Sequence, residues 1–244
     1  MLYKMKRVIL LFISLFFLHV AHAQRAYDTT TTNIMGEIAV VQAYLQTSSY
    51  LSFNAVYYFE DIDSVAVYDT MQASFKLNAD NYHINMDSVE TIQNEKYMVT
   101  VYNQDSLLVI QNPAQSSRQV LQVDVMDSVF QQLALAGITA ADSGSFRKVT
   151  LLFDADAVYT NYEMVFNKTT YQLLYIKYAL RKESLAVDNN KRFKMYIKFN
   201  NYQNDAFTDA AFSTDPYIFV TSSRGTATGS ITSNYEIVNL QKEQ

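Results

Sequence analysis

The sequence predicts a mainly β protein of the α+β class, built around one large, strongly curved antiparallel sheet. Three long strand-like runs follow one another between residues 149 and 199. The last run alternates strictly, which indicates one buried face and one wet face. Its apolar members are Phe193, Met195, Ile197 and Phe199, and its polar members are Lys194, Tyr196 and Lys198. The composition agrees, because 19 Tyr and 15 Phe against 5 Gly and 2 Pro favour long strands over loops.

The first 23 residues have the organisation of a secretory signal peptide. Basic residues precede an apolar core at 8–20, and the small residues Ala21 and Ala23 follow it. The core is shorter than the ~18 residues of a membrane-spanning helix, although an uncleaved N-terminal anchor is the alternative. The sequence has no cysteine that an acyl chain could modify. We therefore expect a periplasmic protein that begins at Gln24 and is soluble rather than lipid-anchored.

A polar leader and an amphipathic helix precede the first strand. Residues 24–32 are rich in threonine, and we expect them to be flexible. Apolar residues then recur at helical spacing, which predicts a helix that Asn33 caps and that ends at 47–49. Its apolar stripe consists of Ile34, Ile38, Val41 and Leu45. From Leu51 the period changes to two, so the chain passes directly from helix to strand.

Residues 33–244 are predicted to form a single domain that begins with a meander of strands. Alternating runs separated by polar turns predict this meander. They lie at 51–59, 71–77, 82–86, 97–102 and 107–110. No internal repeat or break in composition marks a second domain.

A second amphipathic helix is predicted at 125–136, between the meander and the three long strands. Asp124 is its candidate N-cap, and Gly137 follows its last residue. A turn at 140–144 then leads into the long strands. The rest of the chain is predicted as a polar span at 200–215, a Gly/Ser/Thr-rich loop at 221–233 and a short strand at 235–240.

The charge balance is acidic and argues against a nucleic-acid partner. The formal net charge is −5, and removal of residues 1–23, which contain three basic and no acidic residues, lowers it to −8. Nucleic-acid phosphates require clustered Lys and Arg, and anionic lipid surfaces attract the same residues. We therefore expect no nucleic acid among the partners.

Residues with catalytic chemistry are scarce in this sequence. His83 is the only histidine after residue 23, and it lies on the polar side of its predicted strand, where we expect an exposed imidazole. Without cysteine, and with one histidine, the chain offers no Cys–His pair and no multi-histidine metal site. Two carboxylate pairs could share a cation or act as a glycosidase pair, but Asp is also favoured in polar turns. They are Asp61 with Asp63 and Asp154 with Asp156. We expect no enzyme activity, no cofactor and no metal.

The order of elements resembles the family of the periplasmic lipoprotein carrier LolA and its outer-membrane relative LolB. The resemblance covers about residues 33 to 212. It is carried by the segments 52–58, 73–77, 82–84 and 97–102. It implies a half-barrel, meaning a half-open curved sheet, with two or so helices packed on its concave side as a lid. Members of that family carry the acyl chains of lipoproteins through the periplasm.

The resemblance also implies where a ligand would bind. Apolar residues of one parity on adjacent strands would converge on the concave face, under the predicted N-terminal helix as a lid. These residues are Phe53, Ala55, Tyr57, Phe75, Leu77, Phe193, Met195, Ile197 and Phe199. Two functions remain open at this point. One is a carrier of a hydrophobic ligand such as a lipid or a lipoprotein acyl chain, and the other is a non-catalytic envelope interaction or structural module with a filled core and an envelope protein partner.

Overall fold

The fold is known from a computed structural model that describes most of the chain. The described residues are 31–61, 67–78, 80–114, 135–155, 157, 159–180, 193–222, 225–228 and 234–241. The predicted signal peptide, residues 24–30 of the predicted leader and residues 125–134 of the predicted second helix lie outside them.

In the first half of the chain, the described residues form a helix followed by six strands. They are α1 (Thr31–Thr47), β1 (Tyr50–Asp61), β2 (Val67–Asn78), β3 (Asn81–Met86), β4 (Val89–Gln93), β5 (Met98–Tyr102) and β6 (Leu107–Gln111). The second half contributes further strands and one 3₁₀ turn within the described residues. They are β7 (Leu135–Ser143), β8 (Phe146–Phe153), β9 (Tyr159–Asn167), β10 (Leu173–Leu180), β11 (Phe193–Gln203), the 3₁₀ turn (Asp209–Phe212), β12 (Ile218–Ser222), β13 (Gly225–Thr228) and β14 (Glu236–Asn239).

One open sheet contains twelve of these strands, in the order β14-β6-β5-β4-β3-β2-β1-β11-β10-β9-β8-β7. The predicted meander is confirmed, but it contains one more strand than the sequence predicts, since β4 pairs between β3 and β5. The three long strands are neighbours as β9, β10 and β11. Pairing of β1 with β11 joins the two halves of the chain. Every ladder in the sheet is antiparallel except that of β14, which runs parallel to β6. The mainly β, curved antiparallel fold is therefore confirmed.

The helix α1 begins and ends close to its predicted bounds. It starts at Thr31, so Asn33 lies inside the helix rather than at its N-cap, and the predicted leader is shorter by two residues. Its last turn is closed by hydroxyl groups, because Thr47 Oγ1 donates to the Ala43 carbonyl at 2.7 Å and Ser48 Oγ donates to the Tyr44 carbonyl at 2.6 Å. These bonds satisfy carbonyls that a helix end leaves without partners.

The predicted second helix is wrong where the structure describes it. Leu135 and Ala136 belong to β7, and Gly137 pairs with Leu152 of β8 instead of ending a helix. The predicted turn at 140–144 shrinks to a tight connection at Gly144, whose φ of 59° is a conformation that glycine adopts without strain. Pairing with β8 overrides the weak strand propensity of the Ala and Gly residues in this segment.

Two further sequence predictions are corrected near the C-terminus. The segment 221–233 is not a loop throughout, because β12 extends to Ser222 and pairs with β13 as a hairpin. Strand β11 continues to Gln203, which shortens the predicted polar span. Of the two or so helices that the sequence predicts, the described residues contain one, α1, and most of the second predicted helix lies outside them.

Apolar cores lie on both faces of the sheet. The larger core includes the apolar stripe of α1 and the inward residues of β1 to β3 and β8 to β11. This side of the sheet is the helix-covered face, and the opposite side is the outer face. The smaller core lies on the outer face of β5 and β6, where Ile218 and Tyr217 pack against it. Its buried members are Val99, Val101, Leu108, Ile110 and Ile218. The C-terminal part of the chain therefore covers one end of the outer face.

Candidate functional site

Strand register brings the predicted ligand-binding residues to the helix-covered face. Opposite residues in an antiparallel pair share a face. The register pairs Phe53 with Phe75, Leu51 with Leu77, Ala55 with Phe199, Tyr57 with Ile197 and Phe59 with Met195. Phe193 continues the same parity in β11, but its side chain lies outside the described part of the structure. The four apolar residues of the predicted lid lie over this face and are 0–5% exposed.

One end of the helix-covered face is filled by its own side chains. Phe53 and Phe75 are 2% and 5% exposed, and their rings stack with centroids 4.6 Å apart. Tyr202 stacks on the other side of Phe53 at 5.4 Å. Ala55, Leu77 and Phe199 are buried as well. The apolar stripe of α1 belongs to the same core, so the helix covers this end of the face.

The other end of the same face is only half-buried and is lined by tyrosines and methionines. Tyr57, Met195 and Ile197 are partly exposed, unlike their neighbours under the helix. We define the tyrosine cluster as Tyr57, Tyr159, Tyr162 and Tyr178. Within it, the rings of Tyr159 and Tyr178 meet edge to face at 5.7 Å, and those of Tyr162 and Tyr178 stack at 6.4 Å. The Tyr178 hydroxyl donates to the Met195 sulfur at 2.8 Å.

The tyrosine cluster supplies hydroxyl groups that stay uncharged. Burial raises the pKa of Tyr178 to about 12 and raises the pKa of Tyr57 and Tyr159. Burial also raises the pKa of Tyr162 well above its ordinary value. A bond to a thioether sulfur is weak, so a better acceptor on a ligand would compete for the Tyr178 hydroxyl. An apolar surface with a few neutral donors suits a hydrophobic ligand that carries carbonyl or ester oxygens.

A buried arginine ties α1 to the sheet. Arg147 of β8 points to the helix-covered face, and its side chain is 6% exposed. Its guanidinium donates to Glu37 of α1 and, in a bidentate pair, to Asp142 of β7 through Nε at 2.7 Å and Nη2 at 3.0 Å. The bond from Arg147 is the main cause that lowers the pKa of Asp142. Lys168 also reaches Asp142, at 3.0 Å.

Sequence reasoning missed Arg147, although its strand carries a signal. In β8, Arg147 has the same parity as Val149 and Leu151, both of which are fully buried. A charged residue at an inward position requires a buried partner. The partner, Glu37, is 110 residues away, and nothing in the local sequence identifies it.

The opposite end of α1 is held by polar contacts of a different kind. The Tyr44 hydroxyl donates to Asn204 Oδ1 at 3.2 Å and accepts from Gln172 Nε2 at 3.3 Å. Its ring also lies against Tyr202, with centroids 6.4 Å apart. The helix is thus fastened near both ends, and the tyrosine cluster lies on the same face beyond it.

His83 is not the exposed imidazole that the sequence predicts. Its side chain is 23% exposed, and Nε2 lies 2.6 Å from Oε1 of Glu90 while Nδ1 lies 3.2 Å from the carbonyl oxygen of Ala211. The Tyr217 hydroxyl donates to the other Glu90 oxygen at 2.7 Å. His83 lies on the polar side of β3, as predicted. The segment that contains Ala211 and Tyr217 covers that side, so the imidazole is not exposed.

The structure does not describe the geometry of either carboxylate pair that the sequence suggests. Asp63 and Asp156 lie outside the described residues, so neither pair has a described geometry. Among the residues that the structure does describe, no group of three or more His, Asp or Glu is placed to hold a metal ion.

Two clefts lined by described residues lie away from the tyrosine cluster. A cleft of about 740 Å³ separates the β4–β5 turn from the 3₁₀ turn and its continuation to Ile218. A smaller cleft of about 360 Å³ lies over a bulge in β11, where Asn201 has a φ of 56°. The larger cleft is lined mainly by polar and charged residues, so it does not resemble a site for an apolar ligand. The smaller cleft is lined by Phe53, Phe75 and Tyr202 as well as by polar residues.

The chain is similar to known proteins at the level of solved structures. No protein-family model matches it, and no curated protein matches it. Solved structures similar to it include an uncharacterized conserved protein from Thermus thermophilus, with 11% identity, a TM-score of 0.43 and coverage of 83% of this chain and 98% of that chain. A DUF1329 family protein from Desulfovibrio piger has 14% identity, a TM-score of 0.36 and coverage of 75% and 97%. A LolA superfamily protein from Nitrosomonas europaea has 10% identity, a TM-score of 0.33 and coverage of 77% and 99%.

Likenesses at these identities and TM-scores assign neither a ligand nor an activity to this chain. None of the helices in the described part of the chain is long and apolar enough to span a bilayer.

Proposed function

We propose that the protein is an exported, non-enzymatic binding protein that holds a hydrophobic ligand, a lipid or a lipoprotein acyl chain, on the helix-covered face. The observation that carries this proposal is the division of that face. One end is filled and covered by α1, while Tyr57, Tyr178 and Ile197 at the other end are only half-buried. Export is supported by the signal-like order of residues 1–23.

Binding of an acyl chain needs no catalytic group. Each buried CH₂ contributes about 0.8 kcal/mol, so a chain lying along Tyr57, Ile197 and Met195 is held reversibly by burial alone. The neutral hydroxyl of Tyr178 is placed to donate to an ester or amide oxygen. A longer ligand would have to displace the apolar stripe of α1, and the ion pair between Arg147 and Glu37 opposes that movement.

The proposal is tested with a fluorescent fatty acyl probe and a pair of matched variants. Ile197 and Lys198 are neighbours in β11 with opposite parity, so the same charge is placed on either face of the sheet. Ile197→Glu should reduce probe binding by at least about tenfold, because it puts a charge against the ligand's apolar chain. Lys198→Glu should leave probe binding unchanged.

Native mass spectrometry of the purified protein provides an independent measurement, in which a co-purified lipid supports the proposal. If the wild-type protein binds no acyl probe, the carrier function is wrong. The alternative is then an envelope interaction module with a filled core, which the packing of Phe53 between Phe75 and Tyr202 favours.

A further inference from the structure

One segment of the C-terminal part of the chain lies over the outer face of β3 and β4. We define this segment, residues 209–218, as the strap, and it begins with the 3₁₀ turn. Phe212 and Ile218 of the strap are each 2% exposed, so both ends of the strap are anchored by apolar packing. Asn94 of the β4–β5 turn donates to the Phe212 carbonyl at 3.1 Å. The strap is also one wall of the cleft of about 740 Å³, so its position sets the shape of that cleft.

Between these anchors the strap contacts His83, whose two ring nitrogens both face hydrogen-bond acceptors. Nε2 lies 2.6 Å from a carboxylate oxygen of Glu90, and Nδ1 lies 3.2 Å from the carbonyl oxygen of Ala211. Tyr217 of the strap donates its hydroxyl to the other Glu90 oxygen at 2.7 Å. Burial raises the pKa of Tyr217 above its ordinary range, and the bond to Glu90 adds to this effect, so the hydroxyl stays a donor. Glu90 is thus held between Tyr217 and His83.

The imidazole needs a proton on each nitrogen to make both of these bonds. A backbone carbonyl and an ionised carboxylate can only accept hydrogen bonds. The bond from His83 is the main cause that lowers the pKa of Glu90, so this carboxyl is ionised at neutral pH. A neutral imidazole has one N–H, and a proton on Nε2 leaves the lone pair of Nδ1 against the Ala211 oxygen. Imidazolium donates from both nitrogens and therefore satisfies both partners.

The charged groups around His83 favour a positive ring while the strap is docked. Glu90 places its negative charge at hydrogen-bond distance, and its side chain is only 15% exposed. Asp209 of the strap adds an exposed carboxylate close to Ala211 in the chain. Lys76 lies opposite His83 in β2 and opposes a positive ring, but it is exposed, and solvent and salt screen an exposed charge. The direct contact with Glu90 therefore outweighs Lys76.

We propose that His83 is a pH switch that docks the 3₁₀ turn of the strap when its imidazole is protonated and loosens the turn when the ring is neutral. Docking then takes up one proton, so low pH favours the docked turn and rising pH breaks the contact with Ala211. Phe212 and Ile218 hold the strap by apolar packing, which does not titrate. Loosening is therefore confined to the 3₁₀ turn and to the wall that the turn gives to the cleft.

Hydrogen exchange of the purified protein from about pH 5 to about pH 8 tests the switch at the strap itself. The amides of Ala211 and Ser213 donate to the carbonyls of Thr208 and Ala210 within the 3₁₀ turn. A turn this short is not stable by itself, so these amides are protected only while the turn is docked. Their protection factors, corrected for the intrinsic pH dependence of exchange, should fall by at least about tenfold as pH rises. The amides of α1, on the other face of the sheet, should show no such fall.

A pair of neighbouring substitutions separates the switch from a general effect of charge. His83→Gln should abolish the fall in protection, because a side-chain amide donates hydrogen bonds but does not titrate in this range. Lys76→Gln changes the charge at the adjacent position in β2 and should keep the fall.

Nuclear magnetic resonance of the wild type gives a second measurement that needs no variant. Long-range proton–nitrogen correlations show whether each ring nitrogen of His83 carries a proton. Both nitrogens should be protonated wherever the amides of Ala211 and Ser213 are protected, and loss of one proton should coincide with loss of protection.

Four results would overturn the switch. They are a neutral His83 ring beneath a protected turn, protection in the wild type that does not change with pH, the same fall in His83→Gln, and an equal fall in the amides of α1. The last result would assign the pH dependence to the stability of the whole fold.

Discussion

At the scale of single residues, Arg147 connects α1 to the sheet. It is a buried cation between Glu37 on the helix and Asp142 on β7. Buried ion pairs add little net stability compared with apolar packing, but removal of one partner leaves the others without compensation. The pair therefore serves mainly to fix where the helix lies.

The substitution Arg147→Met should lower the free energy of unfolding by at least about 2 kcal/mol, because it leaves two partly buried carboxylates without their common partner. Urea unfolding measures this change. Lys148→Gln, at the next position on the exposed face, should change the free energy by less than about 1 kcal/mol, because its pair with Glu163 is exposed on the lysine side. Equal effects of the two substitutions would show that Arg147 has no special role.

At the scale of elements, α1 depends on one apolar stripe rather than on its caps. The stripe is buried while neighbouring apolar residues are not, as Val41 is 1% exposed and Val40 is 41% exposed. The helix contains several β-branched Thr, Ile and Val residues, which are weak helix formers, so its burial against the sheet supplies most of its stability.

The adjacent valines provide a matched test of this arrangement. Val41→Ala should lower the free energy of unfolding by about 1.5–3 kcal/mol, because it removes two buried methyl groups and leaves a cavity. Val40→Ala should be neutral or slightly stabilising, since alanine is the better helix former at an exposed position. Thermal unfolding of the two variants measures the difference. A larger loss from Val40→Ala would mean that the helix docks through another face.

At the scale of the whole molecule, the C-terminal part of the chain returns to the first half. β14 pairs with β6, Ile218 completes the small core on the outer face, and Tyr217 and Ala211 bond to Glu90 and His83. The bond from His83 is the main cause that lowers the pKa of Glu90, although burial partly opposes it. The stability of this contact, which covers part of the outer face, therefore depends on pH.

A lowered pKa in the folded state means that the Glu90 contact stabilises the fold above the unfolded pKa of about 4.3 and is lost as pH falls through the folded pKa. The free energy of unfolding of the wild type should therefore fall more steeply below about pH 5 than that of Glu90→Gln. Urea unfolding across pH 3 to about 7 measures the two slopes. The exposed residue Glu95 provides the control, and Glu95→Gln should follow the wild type. If the free energies of unfolding of Glu90→Gln and the wild type change in parallel with pH, the Glu90 contact does not stabilise the fold.

The sequence by itself determined the parts of this protein that depend on local periodicity. Alternation of Phe53, Ala55 and Tyr57, and of Met195, Ile197 and Phe199, sets which side chains share a face, because strand side chains repeat every two residues. The stripe of α1 follows in the same way from a period of 3.6. Both predictions hold because neither depends on distant parts of the chain.

Only the tertiary structure decided which strands and faces meet. Pairing of β1 with β11 joins residues about 140 positions apart, and β14 adds a parallel ladder that no local pattern marks. Leu135 and Ala136 form a strand because β8 offers a partner, although their composition favours a helix. His83 is half-buried because residues 128 positions later cover it. Burial and pairing are properties of contacts between distant segments, and local sequence carries only the tendency to form them.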